Sequence, residues 1–364
     1  MRIRTARGRK ASRAPHVNAL IVCSALALPV AGCGDAVEVD DVPELRSLDS
    51  LPLRLTVGGD PADPPIDYVL DATLTEAGEV VVLQRSPPHL LKFDRQGQLV
   101  DSAGPRGRGP GELSGPLGVN FGGADRVAVV GRPGLVVRDW GGNEIVRFEN
   151  FERPARGAIR GCHEDWVVLT APREDSVPSL HSVGASGLGE PYARLGRLRG
   201  NGFDHPPFLA RNEQRIVLFT EELEGPRLLE IRCEDGSVRT LASLELGDSP
   251  YMRPTSERDA AGTYSAVWDR GTEPFPAGVA LLGDRVIWAT RHGPVLQQEG
   301  RWTRFSEWDG SSWVELFDLD GWYTLHAAHS DYGVLLSGRM EGVPAFFVVE
   351  PSVFSPGEAP AERP

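Results

Sequence analysis

Phe93-Asp94-Arg95-Gln96-Gly97, followed by Gly107-Arg108-Gly109-Pro110-Gly111-Glu112-Leu113, is the stretch that decides the fold. It reads as a strand, a tight Asp-x-x-Gly turn, a second strand, and a glycine-rich loop into the next unit. An Asp at the turn entry accepts hydrogen bonds from the backbone ahead of it, and Gly takes the left-handed position. Related turns recur at Asp139-Trp140-Gly141-Gly142, Glu234-Asp235-Gly236 and Asp309-Gly310. The unit is therefore a small antiparallel sheet, and the chain repeats it.

The repeat is clearest one strand earlier. Six apolar runs align, at residues 79–85, 126–132, 166–173, 215–221, 285–291 and 333–339, spaced by roughly 50 residues. Each follows a polar turn such as Glu76-Ala77-Gly78 or His329-Ser330-Asp331. Runs such as Val80-Val81-Val82-Leu83 are unbroken rather than alternating, so both faces of these strands are expected to be covered. Helical periodicity is almost absent. A sheet shielded on both faces by copies of itself is the situation inside a β-propeller. The last copy lacks a fourth strand of its own, whereas residues 51–59 form a strand without a blade. The expected fold is all-β, a six-bladed β-propeller of four-stranded blades, closed by the N-terminal strand in the last blade.

Residues 90–119, with the Phe-Asp-x-x-Gly turn and the Gly-Arg-Gly-Pro-Gly-Glu-Leu loop, resemble the bacterial six-bladed propeller lipoproteins, and more distantly NHL-type repeats. The resemblance implies the fold and little about activity. Some distant six-bladed relatives are metal-dependent lactonases or lyases, which keeps an enzyme reading open.

The N-terminus carries an address. Arg2, Arg4, Arg7, Arg9, Lys10 and Arg13 precede an apolar run over residues 17–30, too short for a comfortable membrane span. Val30-Ala31-Gly32-Cys33 resembles a lipobox, whose family chemistry acylates the cysteine and cleaves before it. The alternative is an ordinary signal peptide in which Cys33 is incidental. Acyl chains in a leaflet supply about 0.8 kcal/mol per methylene, so a lipidated Cys33 makes the expected localisation a membrane-anchored lipoprotein on the periplasmic or cell-surface side. The expected organisation is a signal at 1–32, an acidic tether at 33–49, the propeller at 50–350 and a disordered tail at 351–364. Losing residues 1–32 removes six basic groups and no acid, moving the net charge from −13 to −19. So acidic a chain is not expected to bind nucleic acid. A monomer without a cofactor is expected.

Of four cysteines, Cys23 leaves with the signal and Cys33 takes the lipid, leaving Cys162 and Cys233. An exported compartment permits a bridge, but the strand map puts one at the end of an inner strand and the other at a turn of the next unit. Both a bridge and two separate thiols remain open.

One feature stands out as a candidate site. Position seven of the aligned runs is arginine four times, at Arg85, Arg132, Arg291 and Arg339, with Arg173 one step late in blade three and Glu221 in blade four. Second strands of a propeller end on one face, so these side chains are expected to ring one mouth of the channel. The glycine-rich loop adds Arg106 and Arg108 there. The ring either receives an anionic small molecule, a glycan or a protein segment through bidentate guanidinium bonds, or pairs with acids of neighbouring blades. Candidate acids are Glu112, Glu174, Asp175, Glu222 and Glu224.

The longest insertion, residues 247–275, is expected on the same face. Thr255 and Ser256 would cap a short helix through Glu257, Arg258, Asp259 and Ala260, and Tyr251, Arg253, Tyr264 and Trp268 supply contact groups. Other motifs fall away. Gly107-x-Gly109-x-Gly111 lacks a following helix, and Pro110 removes an amide from any phosphate cradle. His163-Glu164 has Val167 where a second zinc ligand belongs. His326 and His329 leave opposite faces of a regular strand. Two readings stand: a lipid-anchored binding or scaffold propeller, and a metal-assisted lactonase or lyase with its ion on the axis. No regular acid recurs at an equivalent inner position, which favours the first.

Overall fold

The computed structural model describes residues 44–59, 66, 68–85, 88–104, 112, 115–121, 123, 126–131, 134–141, 143–148, 155–162, 165–170, 179–184, 187–194, 208–222, 225–243, 256–258, 264–266, 274–293, 299–340 and 342–355. The fold is all-β, a six-bladed propeller of four-stranded blades. From the axis outward, blade one is Val69–Leu74, Val80–Arg85, Pro88–Phe93 and Leu99–Ala103. The inner strands of blades two to six are Pro116–Phe121, Ala155–Arg160, Leu209–Arg211, Phe275–Leu282 and Thr324–His329. Each touches the next, and the sixth touches the first, so the ring is closed. The outermost strand of blade six is Leu53–Gly58, antiparallel to Val343–Val349. That hydrogen-bonded ladder joins the two ends of the domain.

The unbroken apolar runs are the second strands, and their side chains part to the two sides in strict alternation. Val80 and Val82 enter the layer between blades six and one, with Leu335, Phe346 and Val348. Val81 and Leu83 enter the layer between blades one and two, with Val127 and Val129. Ala128 and Val130 then meet Trp166 and Val168. Val167 and Leu169 meet Ile216 and Leu218. Val217 and Phe219 meet Val286 and Trp288. Ile287 and Ala289 meet Val334 and Leu336, and the circle is complete. Six separate apolar layers, one per interface, replace a single core. Each buried valine or leucine contributes on the order of 2 kcal/mol of transfer free energy.

The tight turns follow the chemistry of their first residue. Asp94 Oδ1 accepts from the amides of Gln96 and Gln98, both at 2.9 Å, and Gly97 has φ 78°. Asp309 Oδ1 accepts from the amides of Ser312 and Ser311 at 2.7 Å, and those bonds hold its carboxyl down at about 2.

Three expectations are corrected. The tether does not run free to residue 49: Leu45–Arg46 pairs in parallel with Trp313–Asp320 as a fifth strand on blade five. Arg46 lies over the Phe317 ring at 5.1 Å, and Leu48 packs on the core. Apolar residues at 45, 48 and 51 outweigh the acidic character of the segment. The tail does not begin at 351, because Pro351–Phe354 is a 3-10 turn whose Phe354 is fully buried against Phe305 and Phe317. Within the insertion, Ser256–Arg258 and Tyr264–Ala266 pair as an antiparallel hairpin, not a helix. A five-residue helix fixes several dihedrals for one hydrogen bond, whereas strand pairing satisfies the same backbone at once.

The disulfide question is settled by geometry. Cys162 follows the inner strand of blade three and Cys233 follows the third strand of blade four, Gly225–Arg232. Inner and third strands run in the same direction, so both cysteines emerge at one face. Their Cα atoms are 5.0 Å apart and the sulfurs are bonded. The bridge staples blade three to blade four.

Candidate functional site

Five of the six inner strands carry a register shift near their start, between Val69 and Asp71, Pro116 and Gly118, Ala155 and Gly157, Pro276 and Gly278, and Leu325 and Ala327. Such bulges bend a strand and re-aim its side chains. The residues just past the shifts are Gly118, Gly157, Gly278 and Ala327, all small, and Asp71. Blade six packs tightly on blade five at Gly278, where φ is 144° and any Cβ would strike the Leu325 carbonyl oxygen. Asp71, Gly118 and Gly157 line the waist of the channel, a compartment of about 90 Å³ that Val279 and Leu325 complete from blades five and six.

Asp71 laces three blades together across this waist. Its Oδ1 accepts from the Ala72 amide at 2.8 Å and faces His326 Nδ1 of blade six at 3.3 Å. Its Oδ2 accepts from the Val119 amide of blade two at 2.9 Å. In the tautomer that donates to Asp71, His326 Nε2 accepts from the Ser337 hydroxyl at 2.7 Å. The imidazole is almost entirely buried, whereas the Asp71 side chain keeps a third of its surface open. Carboxylate, imidazole and hydroxyl stand in a row, but the hydroxyl lies on the second strand, away from the axis. The arrangement fastens the ring.

Beyond the waist the channel opens into a cavity of about 890 Å³, lined from all six blades. Its wall is made by the ends of inner strands and the turns after them: Thr75 and Glu76, Asn120 and Phe121, Arg160, Arg211 and Asn212, Leu281 and Gly283, His329 and Ser330. Arg126, the first residue of the second strand of blade two, joins them. Arg160 also lies over the Trp166 ring at 5.9 Å. His326 and His329 both line the cavity, because the bulge removes one residue from the alternation expected of a regular strand. They do not pair on a common point: His329 Nδ1 accepts from the Asp331 amide at 3.2 Å and its ring packs on Tyr332.

Second strands start at this mouth, so they end at the other. Arg85, Arg291 and Arg339 therefore sit at the opposite mouth, and none lines the cavity. Arg85 is exposed, over the Tyr68 ring at 5.5 Å. Arg291 donates from Nε to the Tyr323 carbonyl at 3.0 Å and also bonds the Thr324 hydroxyl, so it ties blade five to blade six through neutral oxygens. Arg339 is exposed beside its strand partner Pro344. Arg106, Arg108, Arg132 and Arg173 lie outside the described residues, as do Cys33, His163, Glu174 and Asp175. The structure brings together Arg126, Arg160 and Arg211, which no common offset marks in the sequence. The turns that follow their strands differ in length.

A metal on the axis would need several oxygen or nitrogen donors converging. Both Asp71 oxygens already accept from hydrogen-bond donors, and among the described residues no three His, Cys, Asp or Glu side chains form such a group. The described residues do not fit a metal centre. Also among the described residues, no helix is long and apolar enough to cross a membrane.

No protein-family model matches the chain, and no curated protein matches it. Solved structures do resemble it. A Bacteroides fragilis protein assigned as exported superposes with a TM-score of 0.57 at 9% identity, over 85% of this chain and 97% of that one. A gluconolactonase from Xanthomonas campestris gives 0.48 at 12% identity, over 82% and 98%. The calcium-binding protein regucalcin from Agrobacterium tumefaciens gives 0.47 at 10% identity, over 79% and 92%. At such identities a likeness is one of architecture alone; that this chain is a six-bladed β-propeller is shown by its own sheets and the closed ring of inner strands.

Proposed function

We propose that the protein is an extracytoplasmic, lipid-anchored propeller that acts as a binding module, holding a ligand in the axial cavity. One observation carries the reading: a cavity of about 890 Å³ assembled from all six blades, with both polar and apolar residues in its lining. Small-molecule sites occupy roughly 300–1,000 Å³ and combine these two kinds of surface. The rigid ring behind it keeps the wall pre-organised.

Export is supported by the Cys162–Cys233 bridge, a bond that persists in oxidising compartments, and by the basic and apolar run that ends at Cys33. In this proposal Cys33 carries the lipid. The anion seat expected at Arg85, Arg132, Arg291, Arg339, Arg106, Arg108 and Arg173 is not retained as the primary site, because Arg291 is already engaged and the cavity lies at the other mouth. The metal-assisted lactonase alternative is not adopted either, for want of a donor set among the described residues.

Native mass spectrometry of the protein drawn gently from its membrane tests the reading. A small molecule should accompany the chain and be lost from Ser330→Trp, which fills the mouth from an exposed position. A bound species that survives this substitution would place the ligand elsewhere. Acyl labelling lost in Cys33→Ser checks the anchor.

A further inference from the structure

Asp71 has acceptor capacity left after it has fastened the ring. Its Oδ1 faces the Ala72 amide and His326 Nδ1, which together use both lone pairs of that oxygen. Among the described residues its Oδ2 takes only the Val119 amide, at 2.9 Å, so a second acceptor position stays open there. In the tautomer that donates from Nδ1 and accepts at Nε2 from Ser337, the imidazole is neutral and leaves the carboxylate its full negative charge. The Asp71 side chain keeps 34% of its surface open where it lines the waist. A glycine preserves that opening: a Cβ on Gly118 would lie 3.3 Å from Oδ2.

The waist communicates with the larger cavity, since Thr73, Asn120, Leu209 and His326 line both. At about 90 Å³ it exceeds the roughly 10–15 Å³ that one water needs, by enough for an ammonium group and the first methylenes of a chain. A carboxylate in so confined a space attracts a cation more strongly than one in bulk water. One open acceptor position is too little for a metal ion, which gathers several donors, but it suits one N–H of an ammonium. Thr73 and Asn120 bring further oxygen acceptors to the same stretch of channel. We infer, on the footing of the binding reading above, that the ligand carries a primary ammonium, which enters the waist and donates to Asp71 Oδ2 while the rest of the molecule occupies the cavity.

Isothermal titration of the purified full chain at physiological salt tests this, with hexylamine as the probe and hexanol and hexyltrimethylammonium as controls. Hexylamine should bind. Hexanol, which lacks the charge, and the quaternary ion, which lacks an N–H, should each bind at least tenfold more weakly. Asp71→Asn should weaken hexylamine tenfold or more. Because that change also touches the ring, Gly118→Ala gives a second reading: it keeps the carboxylate, crowds Oδ2 and should weaken hexylamine as well, with the fold of both variants checked by circular dichroism. Hexylamine that fails to bind, or that ignores both changes, overturns the ammonium seat, as does a quaternary ion bound equally well. Hexanol bound as tightly as hexylamine, and lost in Ser330→Trp, overturns the seat while sparing the cavity as a ligand site. Hexylamine binding that is indifferent to Ser330→Trp defeats the cavity reading and the inference that rests on it.

Discussion

Asp71 offers the sharpest perturbation of the ring. Replacing it with alanine removes the acceptor of the Val119 amide in blade two and of His326 Nδ1 in blade six, bonds of 2.9 and 3.3 Å. Val119 is 5% exposed and the His326 side chain 6%, so neither donor readily turns to water instead. An orphaned buried donor costs about 1–3 kcal/mol, which makes the pair worth about 4. Relief from partial desolvation of the carboxylate returns about 1 kcal/mol, since the side chain is one-third open. The expected loss for Asp71→Ala is therefore about 3 kcal/mol. Asp71→Asn keeps one acceptor oxygen and should lose about half as much. Urea denaturation followed by tryptophan fluorescence reads both, as a lower midpoint at unchanged slope. A stability within about 0.5 kcal/mol of wild type for the alanine variant would refute the reasoning, because that is the scatter of inconsequential surface changes.

Other outcomes follow from the same coordinates. Removing the bridge with Cys162→Ser and Cys233→Ser frees a loop spanning 71 positions, worth about 4 kcal/mol by chain entropy, and reductant should reproduce the loss in the wild type only. Glu230 is 2% exposed and held by Arg215 at 2.6 Å, by Arg239 and by Arg232. Glu230→Ala leaves those cations facing one another and should cost about 3 kcal/mol or more in thermal or chemical unfolding. His292, stacked on Trp302 at 3.7 Å, has its pKa pushed down from 6.5 to about 4 by burial and then by Arg304. The unfolded chain takes up this proton first, so stability should fall as pH drops from 6.5 towards 4 and stay flat above 6.5. His292→Gln should flatten that limb relative to wild type; an unchanged slope would mean that the imidazole is not held neutral.

The architecture was legible because its cause is local. Val80-Val81-Val82-Leu83 can only be buried on both faces, and the structure sends Val80 and Val82 one way and Val81 and Leu83 the other. Asp94 and Asp309 announced their turns through side-chain acceptors a few residues from the amides they bind. Contacts between distant segments were harder to see. Phe354 lies in a Pro-rich stretch that reads as frayed, yet one aromatic ring fitting between Phe305 and Phe317 docks it. Cys162 and Cys233 meet because third and inner strands emerge at the same face, a fact of sheet direction rather than of spacing. The arginines that caught attention shared an alignment column, and that column marks the end of a strand. Those that line the cavity, Arg160 and Arg211, precede turns of different lengths, so no column collects them. The bulge at His326 likewise has no signature in residue type, although it decides which way two histidines face.

A density map of the protein taken from its own membrane, without any step that strips small molecules, tests the central claim most directly. The account predicts six four-stranded blades and a bound molecule beyond the waist, in the cavity lined from all six blades. A molecule seated instead at the opposite mouth, among Arg85 and Arg339, would contradict it.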